Sequence, residues 1–346
     1  MEKQLIIKKS DLLPSRSDFF VMGAFNPAVI AKGDETIMLV RVAEAVKPTQ
    51  NRSVIVPTIS GHSIHFIELD RQNPDYDFSD ARVVRNHHQN YLTSLSHFRV
   101  ARSRDGVNFT FDGTRIFPET EYESYGIEDP RITEINGCYY ITYSAISQHG
   151  INVALMVTSD FHSFTRLGII LPSDNKDCVI FPSKVNGRYF ALHRPSKSDF
   201  GHLDIWTAES CDLLHWGNHK VLLGARLSYV ESTRLGAGAV PFLTERGWLV
   251  IYHSADATHR YQLVAMLLDA NDPNKVLMRS KKPLILPEES YETSGFFPDV
   301  VFTCGLIHDD DGITVYYGAC DENIARCHLK MEEVWANMEV VKNEKN

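Results

Sequence analysis

Short apolar and aromatic runs, each entered through a tight polar turn, recur along the whole chain. Residues 37–42, 139–143, 248–252 and 314–317 are rich in β-branched and aromatic side chains. They follow Lys32-Gly33-Asp34, Asn136-Gly137, Arg246-Gly247 and Asp311-Gly312, and Asn186-Gly187 opens a fifth run at 189–192. A turn pair of this kind between two apolar runs predicts a β-hairpin, because the turn residues must take positive φ. A proline precedes each hairpin: Asn26-Pro27, Asp129-Pro130, Phe181-Pro182, Val240-Pro241 and Pro298-Asp299.

A second feature repeats with the first. Asp105, Asp160, Asp212 and Asp272 each sit in a polar turn after a strand, about 50–60 residues apart, the length of a four-stranded unit with its loops. Their expected role is to cap backbone N–H groups. Five copies of one unit predict an all-β fold, a five-bladed β-propeller in a single domain spanning 1–346 with short terminal extensions. Helix is expected only near the end, over 329–340. Residues 5–16 are expected to pack outside the first blade or to complete the last, so that the two chain ends close the ring.

Composition narrows the function. With 43% hydrophobic residues the chain can bury a large core, and its net charge of −9 comes without a long Lys/Arg run. That argues against a nucleic-acid groove, which needs clustered cations. The six cysteines have no metal-ligand spacing and are expected to be buried free thiols; no metal or cofactor is expected. No apolar stretch is long enough to span a membrane and no leader is visible, so a cytoplasmic or periplasmic protein is expected. Nothing in the pattern decides whether the chain forms a homo-oligomer.

Inner strands of a propeller converge on one cavity, so polar residues at their mouths are the candidate chemistry. They are Asn26, Arg41, Glu128, Asp129, Arg131, Lys176, Asp177, Arg194, Arg234, His253 and Asp299. So many charges near one axis suggest a polar ligand, because unpaired buried charge is costly. In Gly126-Ile127-Glu128-Asp129-Pro130-Arg131, strand alternation predicts that Glu128 and Asp129 face opposite ways and that Arg131 shares the side of Asp129. Asp174-Asn175-Lys176-Asp177 supplies donors and acceptors suited to a polyol. The stretch from Tyr229 to Ala239 sets Glu231 three residues before Arg234 and then turns glycine-rich, without the Gly-Lys-Ser/Thr of a nucleotide loop. Asp309-Asp310-Asp311-Gly312 lacks the spacing of a calcium loop and reads as a hairpin turn.

Together, Phe25-Asn26-Pro27, 39–42, Glu128-Asp129-Pro130-Arg131, 174–177, His193-Arg194-Pro195, 235–238 with 247–253, and 298–302 resemble glycoside hydrolase family 130, five-bladed propellers acting on β-mannosides. The resemblance covers about residues 20 to 325. It implies an inverting enzyme: most members attack the anomeric carbon with phosphate and release mannose 1-phosphate, and a smaller branch uses water on β-1,2-mannosides. It also implies Asp129 as the acid, acting through the mannose O3 hydroxyl, with Asn26, Arg41 and Asp299 lining the mannose subsite.

Water or phosphate is then the open question. A carboxylate beside a phosphate dianion is repulsive, whereas a carboxylate beside water serves as a general base. Glu231 in the glycine-rich region therefore favours an exo-acting β-1,2-mannosidase releasing mannose, with Asp129 as acid and Glu231 as base. Arg234, Arg194 and Lys176 as phosphate ligands support the alternative, a β-mannoside phosphorylase taking inorganic phosphate as second substrate. A mannoside-binding propeller without catalysis is the third reading.

Overall fold

In a computed structural model, residues 2–48, 52–61, 63–196, 200–226 and 231–341 are described. Tyr229 and Val230, at the head of the glycine-rich motif, lie outside them. The described chain is almost all β, and its strands sort into antiparallel groups in sequence order. The first group is Phe19–Lys32, Glu35–Val46, Leu95–Ser103 and Thr110–Ile116, and the second is Gly126–Ile135, Cys138–Ser147, Gly150–Thr158 and Thr165–Leu171. One parallel bridge, Gly126 to Ser96, joins these two into a single eight-stranded sheet. Asn175–Ile180, Tyr189–Pro195, Ile205–Ser210 and Trp216–Leu223 follow as a separate sheet. In the next, Arg234–Ala237 and Phe242–Thr244 both pair with Gly247–Ala255, which is followed by Tyr261–Leu268, Val276–Ser280 and Met338–Val340. The last comprises Val301–His308, Gly312–Ala319, Asn323–Lys330 and the N-terminal Glu2–Ile7.

The N-terminal segment thus pairs with a strand from the end of the chain, Glu2 opposite His328 and Leu5 opposite Ala325. The helix expected over 329–340 is only Met331–Ala336; Leu329 still belongs to a strand, and Met338–Val340 is strand again. No helix among the described residues is long and apolar enough to cross a membrane. Of the cysteines, Cys178, Cys304, Cys320 and Cys327 are buried, but Cys138 is only partly covered and Cys211 is exposed. Cys211 follows the last residue of its strand, in a bend at the surface where Arg188 reaches its sulfur.

The core lies between the groups rather than within them. Separate apolar clusters bridge each neighbouring pair: Leu39 and Phe98 cluster with Ile127 and Ile141, Leu155 with Ile180, Leu192 with Val250, and Ile251 with Val315. A further cluster joins Ile7 and Ile324 of the last group to Val40 of the first. The capping aspartates behave as read: Asp105, Asp160 and Asp212 each accept two backbone N–H groups from the turn that follows.

One polar device is repeated inside this apolar frame. A buried glutamate in the lead-in to a group accepts the hydroxyl of a tyrosine on the second strand and a cation from the fourth. Glu123 takes Tyr143 at 2.7 Å and Arg166 at 3.0 Å. Glu292 takes Tyr317 at 2.6 Å and Lys3 at 2.8 Å. Glu231 takes Tyr252 and, at 2.9 Å, Arg279. Removing one partner of such a buried set strands the others, at a cost of about 3–5 kcal/mol. Glu123→Ala should lower the unfolding free energy by that order, read from chemical denaturation. A loss below about 1 kcal/mol would show that the latch contributes nothing to stability.

Candidate functional site

Three first strands carry the same irregularity, and it builds the site. Pairing slips between Phe25 and Ala28, between Glu128 and Arg131, and between Lys176 and Val179. At each slip one residue adopts a left-handed backbone: Asn26 at φ 47°, Asp129 at φ 51° and Asp177 at φ 54°. Asn and Asp tolerate this region better than other side chains bearing a Cβ. A β-bulge of this kind breaks alternation and re-aims side chains.

The bulge corrects the expected facing of the Glu-Asp-Pro-Arg motif. Glu128 and Asp129 both line one cavity, and both bind Arg41: Nη2 donates to Glu128 Oε1 at 2.6 Å and Nη1 to Asp129 Oδ1 at 2.9 Å. Asn26 Nδ2 donates to the same Asp129 oxygen at 2.9 Å, while its own buried Oδ1 has no partner among the described residues. Gly318 leaves room for this amide, since a Cβ there would collide with Asn26 Oδ1. Arg41 lies over the Phe25 ring, 4.5 Å from its centroid.

Arg131 turns the other way, into a buried hub below the cavity. Asp177 accepts Arg131 Nη2 at 3.1 Å, Arg194 Nε at 2.8 Å and His253 Nε2 at 3.3 Å. Arg131 also donates to the carbonyls of Asp129, Ala237 and Gly238. Gly236 is required here, because a Cβ would strike both Asp177 and His253. Burial lowers the His253 pKa, only partly offset by Asp177, so the ring is neutral at pH 7. Burial pushes the Asp177 carboxyl up, but Arg194, His253 and Arg131 outweigh it and hold the group well below the usual carboxylate range.

Of the residues singled out in the sequence, Asn26, Arg41, Glu128, Asp129, Lys176 and Arg234 line the cavity. Arg131, Asp177, Arg194 and His253 form the hub. Two lie outside both. Asp299 is exposed: its backbone is left-handed at φ 60°, like that of Asp129, but it lies ahead of the strand Val301–His308, whose pairing slip falls only between Thr303 and Gly305. Glu231 is buried away from the cavity lining, and its carboxylate is held by Tyr252, Arg226 and Arg279.

The cavity also holds residues that the sequence reading missed. Asp321 faces it, with Tyr261, Phe297 and Phe302 as aromatic wall and Arg82 at one side. A signal existed: Asp321 closely follows the aromatic strand 314–317, and His193-Arg194 and His253 stand at the corresponding ends of their own second strands. The Lys176 ammonium makes no hydrogen bond to a described residue. Arg234 Nη1 donates to Tyr261 Oη at 2.7 Å, and its buried Nε has no partner among the described residues. Among the described residues, no group of three or more His, Cys, Asp or Glu is placed to hold a metal ion.

Three carboxyls crowd around Arg41. Burial opposes ionisation of Asp129, but Arg41, Lys176, Arg131 and the Asn26 hydrogen bond outweigh it and keep its pKa below the ordinary value. Burial, with the like charge of Asp129, raises Glu128 despite Arg41. Burial also pushes Asp321 up to about 6, against Arg41 and with Asp129 and Glu128 adding to it.

A family profile described as beta-1,4-mannooligosaccharide phosphorylase matches residues 78–342. The chain belongs to glycoside hydrolase family 130. It is 42% identical to a beta-1,2-mannobiose phosphorylase of Listeria innocua over 98% of both chains. It is 40% identical to a 1,2-beta-oligomannan phosphorylase of Thermoanaerobacter over 71% of this chain and 83% of the relative. A solved Listeria innocua beta-1,2-mannobiose phosphorylase, in complex with beta-1,2-mannobiose, superposes with a TM-score of 0.94 at 41% identity, covering 97% of this chain and 99% of that one. These relatives overturn the expected hydrolase, because each of them is a phosphorylase. The geometry gives the physical reason, since the carboxylate assigned to activate water is tied up in a structural latch.

Asp321 yields a pH signature. Its proton is held to about pH 6 in the folded chain but only to the ordinary aspartate range when unfolded. A raised carboxyl pKa means that its contribution to stability is largest below about pH 4 and falls as pH rises toward 6. Asp321→Asn should flatten that part of the profile, measured as denaturant midpoint against pH for the ligand-free protein. Parallel profiles for the two proteins would remove Asp321 as a titrating group.

Proposed function

We propose that this chain is an inverting β-1,2-mannoside phosphorylase that cleaves β-1,2-mannobiose or a short oligomer with inorganic phosphate. The observation that carries the reading is the pairing within one cavity of a buried acid, Asp129, with incompletely satisfied cations, Lys176 and Arg234, while Glu231 is withdrawn from that cavity into ion pairs. The likeness to the two β-1,2-mannoside phosphorylases supports the linkage. The antiparallel groups are read as five blades of a propeller, supported by the apolar clusters that link each group to the next and the last to the first.

On this reading the mannose to be transferred sits over Asn26, Arg41, Asp129 and Asp321, whose hydrogen-bonding atoms suit sugar hydroxyls. Phosphate lies toward Lys176 and Arg234. A phosphate oxygen forms the new bond to the anomeric carbon as the glycosidic C–O bond breaks, and the proton that Asp129 gives up ends on the departing sugar oxygen. Asp129 must first be protonated, although Arg41 and Lys176 favour its ionised form. Substrate binding works in the needed direction: the sugar removes water from the carboxylate, and phosphate adds negative charge and engages Lys176, both of which raise a carboxyl pKa.

With β-1,2-mannobiose and phosphate, the protein should form mannose and mannose 1-phosphate in equal amounts. Free mannose released at the same rate without phosphate would overturn the proposal. Asp129→Asn should lower kcat on the order of 10²- to 10⁴-fold, the usual contribution of a positioned acid, with the melting temperature held within a few degrees. Unchanged turnover would take Asp129 out of the acid role.

The phosphate ligands have their own test. Lys176→Ala and Arg234→Ala should each raise KM for phosphate roughly ten- to a hundredfold, the scale of one charged hydrogen bond. A rise in KM for the mannoside alone would move both cations to the sugar side.

A further inference from the structure

Between Glu35–Val46 and Leu95–Ser103 the chain leaves the first group for residues 47–94, whereas the corresponding link in the second group, between Ser147 and Gly150, is only residues 148–149. This excursion holds a hairpin, Ser53–Ser60 with Ser63–Asp70, and a small sheet of Asp77–Asp80, Val83–Arg85 and Asn90–Leu92. It is docked rather than free: Ile59 N donates to Ser124 O at 2.8 Å, and Phe66 meets Phe19 edge-on at 6.1 Å.

Its turn at Asp80 to Val83 brings Arg82 to the cavity. The guanidinium lies over the Phe297 ring, 4.4 Å from the centroid. Asp80 holds it from behind, accepting Nε at 3.0 Å and Nη2 at 3.1 Å, and Arg85 braces Asp80 at 3.1 Å. Nη1 has no hydrogen-bond partner among the described residues. Arg82 is therefore an oriented donor with one free edge, fixed by an aromatic plane and a carboxylate. Its side chain is 44% exposed, against 5% for Asp129 and 13% for Arg41. The acid lies deep and Arg82 lies shallow in the same cavity. A disaccharide whose bond is cut over Asp129 must extend its second sugar outward, past this edge.

Resting on the proposed phosphorolysis, we infer that Arg82 is the specificity residue for the leaving sugar, donating Nη1–H to a hydroxyl of that ring while Phe297 supports both. Asp80 acts as its positioning residue. The transferred mannose, deeper in the cavity, does not touch Arg82.

The test is binding without turnover. Wild-type protein, Arg82→Ala and Arg82→Gln are titrated calorimetrically in phosphate-free buffer with β-1,2-mannobiose and, separately, with mannose. Both variants should bind mannobiose about tenfold or more weakly, the scale of one charged hydrogen bond, and mannose within about twofold of wild type. Asp80→Asn should shift mannobiose binding in the same direction by less. Unchanged mannobiose affinity, or an equal loss for both sugars, overturns the inference. Arg82 is half-exposed, so the variants should melt with wild type; Gln retains a side chain over Phe297 if Ala disturbs the loop. Wild type that binds mannobiose yet forms no mannose 1-phosphate when phosphate is added sinks the phosphorylase reading alone, and the affinity comparison still decides Arg82. Wild type that fails to bind mannobiose sinks both.

Discussion

The buried carboxylate of Asp177 is the constraint on which the site depends. It gathers Arg131, Arg194 and His253 from strands of three different groups. Two guanidinium groups this deeply buried are tolerable only because a carboxylate and several carbonyls satisfy them. Arg131 reaches the carbonyl of Asp129, so the hub also fixes the backbone from which the candidate acid projects. The cavity floor is thus set by charge pairing below it, and the apolar clusters between groups hold the strands that supply the charges.

Much of this was legible in the chain. Turn glycines, aromatic second strands and capping aspartates marked the repeat unit, and the repeat placed Asn26, Arg41, Glu128, Asp129, Lys176 and Arg234 in one neighbourhood. The bulges were not legible. Alternation assumes a regular strand, and the left-handed residue at Asp129 reverses its result for Glu128 and Arg131. Likewise Pro298-Asp299 looks like a copy of Asp129-Pro130, but the slip in that strand comes at Thr303 to Gly305. Dipeptides repeat in sequence without repeating in register.

Glu231 shows a different failure. Next to Arg234 and a glycine-rich run, it looks like a site residue. Its partners, Tyr252 and Arg279, lie 21 and 48 residues away on the second and fourth strands. Yet the internal repeat contained the answer. Glu123 precedes Tyr143 by 20 residues and Glu292 precedes Tyr317 by 25, each glutamate in the same lead-in position. A residue that recurs at equivalent places in several units serves what the units share, which is their packing. The bulge recurs as well, but what it carries changes from copy to copy: Asn26 and Asp129 sit at the cavity, whereas Asp177 at the equivalent position is buried in the hub.

Charge balance supports the proposal that one cavity serves both an acid and an anion. Glu128, Asp129 and Asp321 share the charge of Arg41, with Lys176 and Arg82 adding to it, and burial together with the mutual repulsion of the carboxyls raises Glu128 and Asp321. Lys176, beside Arg234 in the same cavity, favours the ionised form of Asp129. A phosphate dianion arriving beside them removes part of the field that holds Asp129 ionised. On the proposed reading the second substrate prepares the acid: without the anion, Arg41 and Lys176 keep Asp129 ionised, with no proton to give, and the bond to the leaving sugar stays intact even with water at hand. Selection of phosphate over water on this account comes less from excluding water than from the electrostatic state in which water finds the acid.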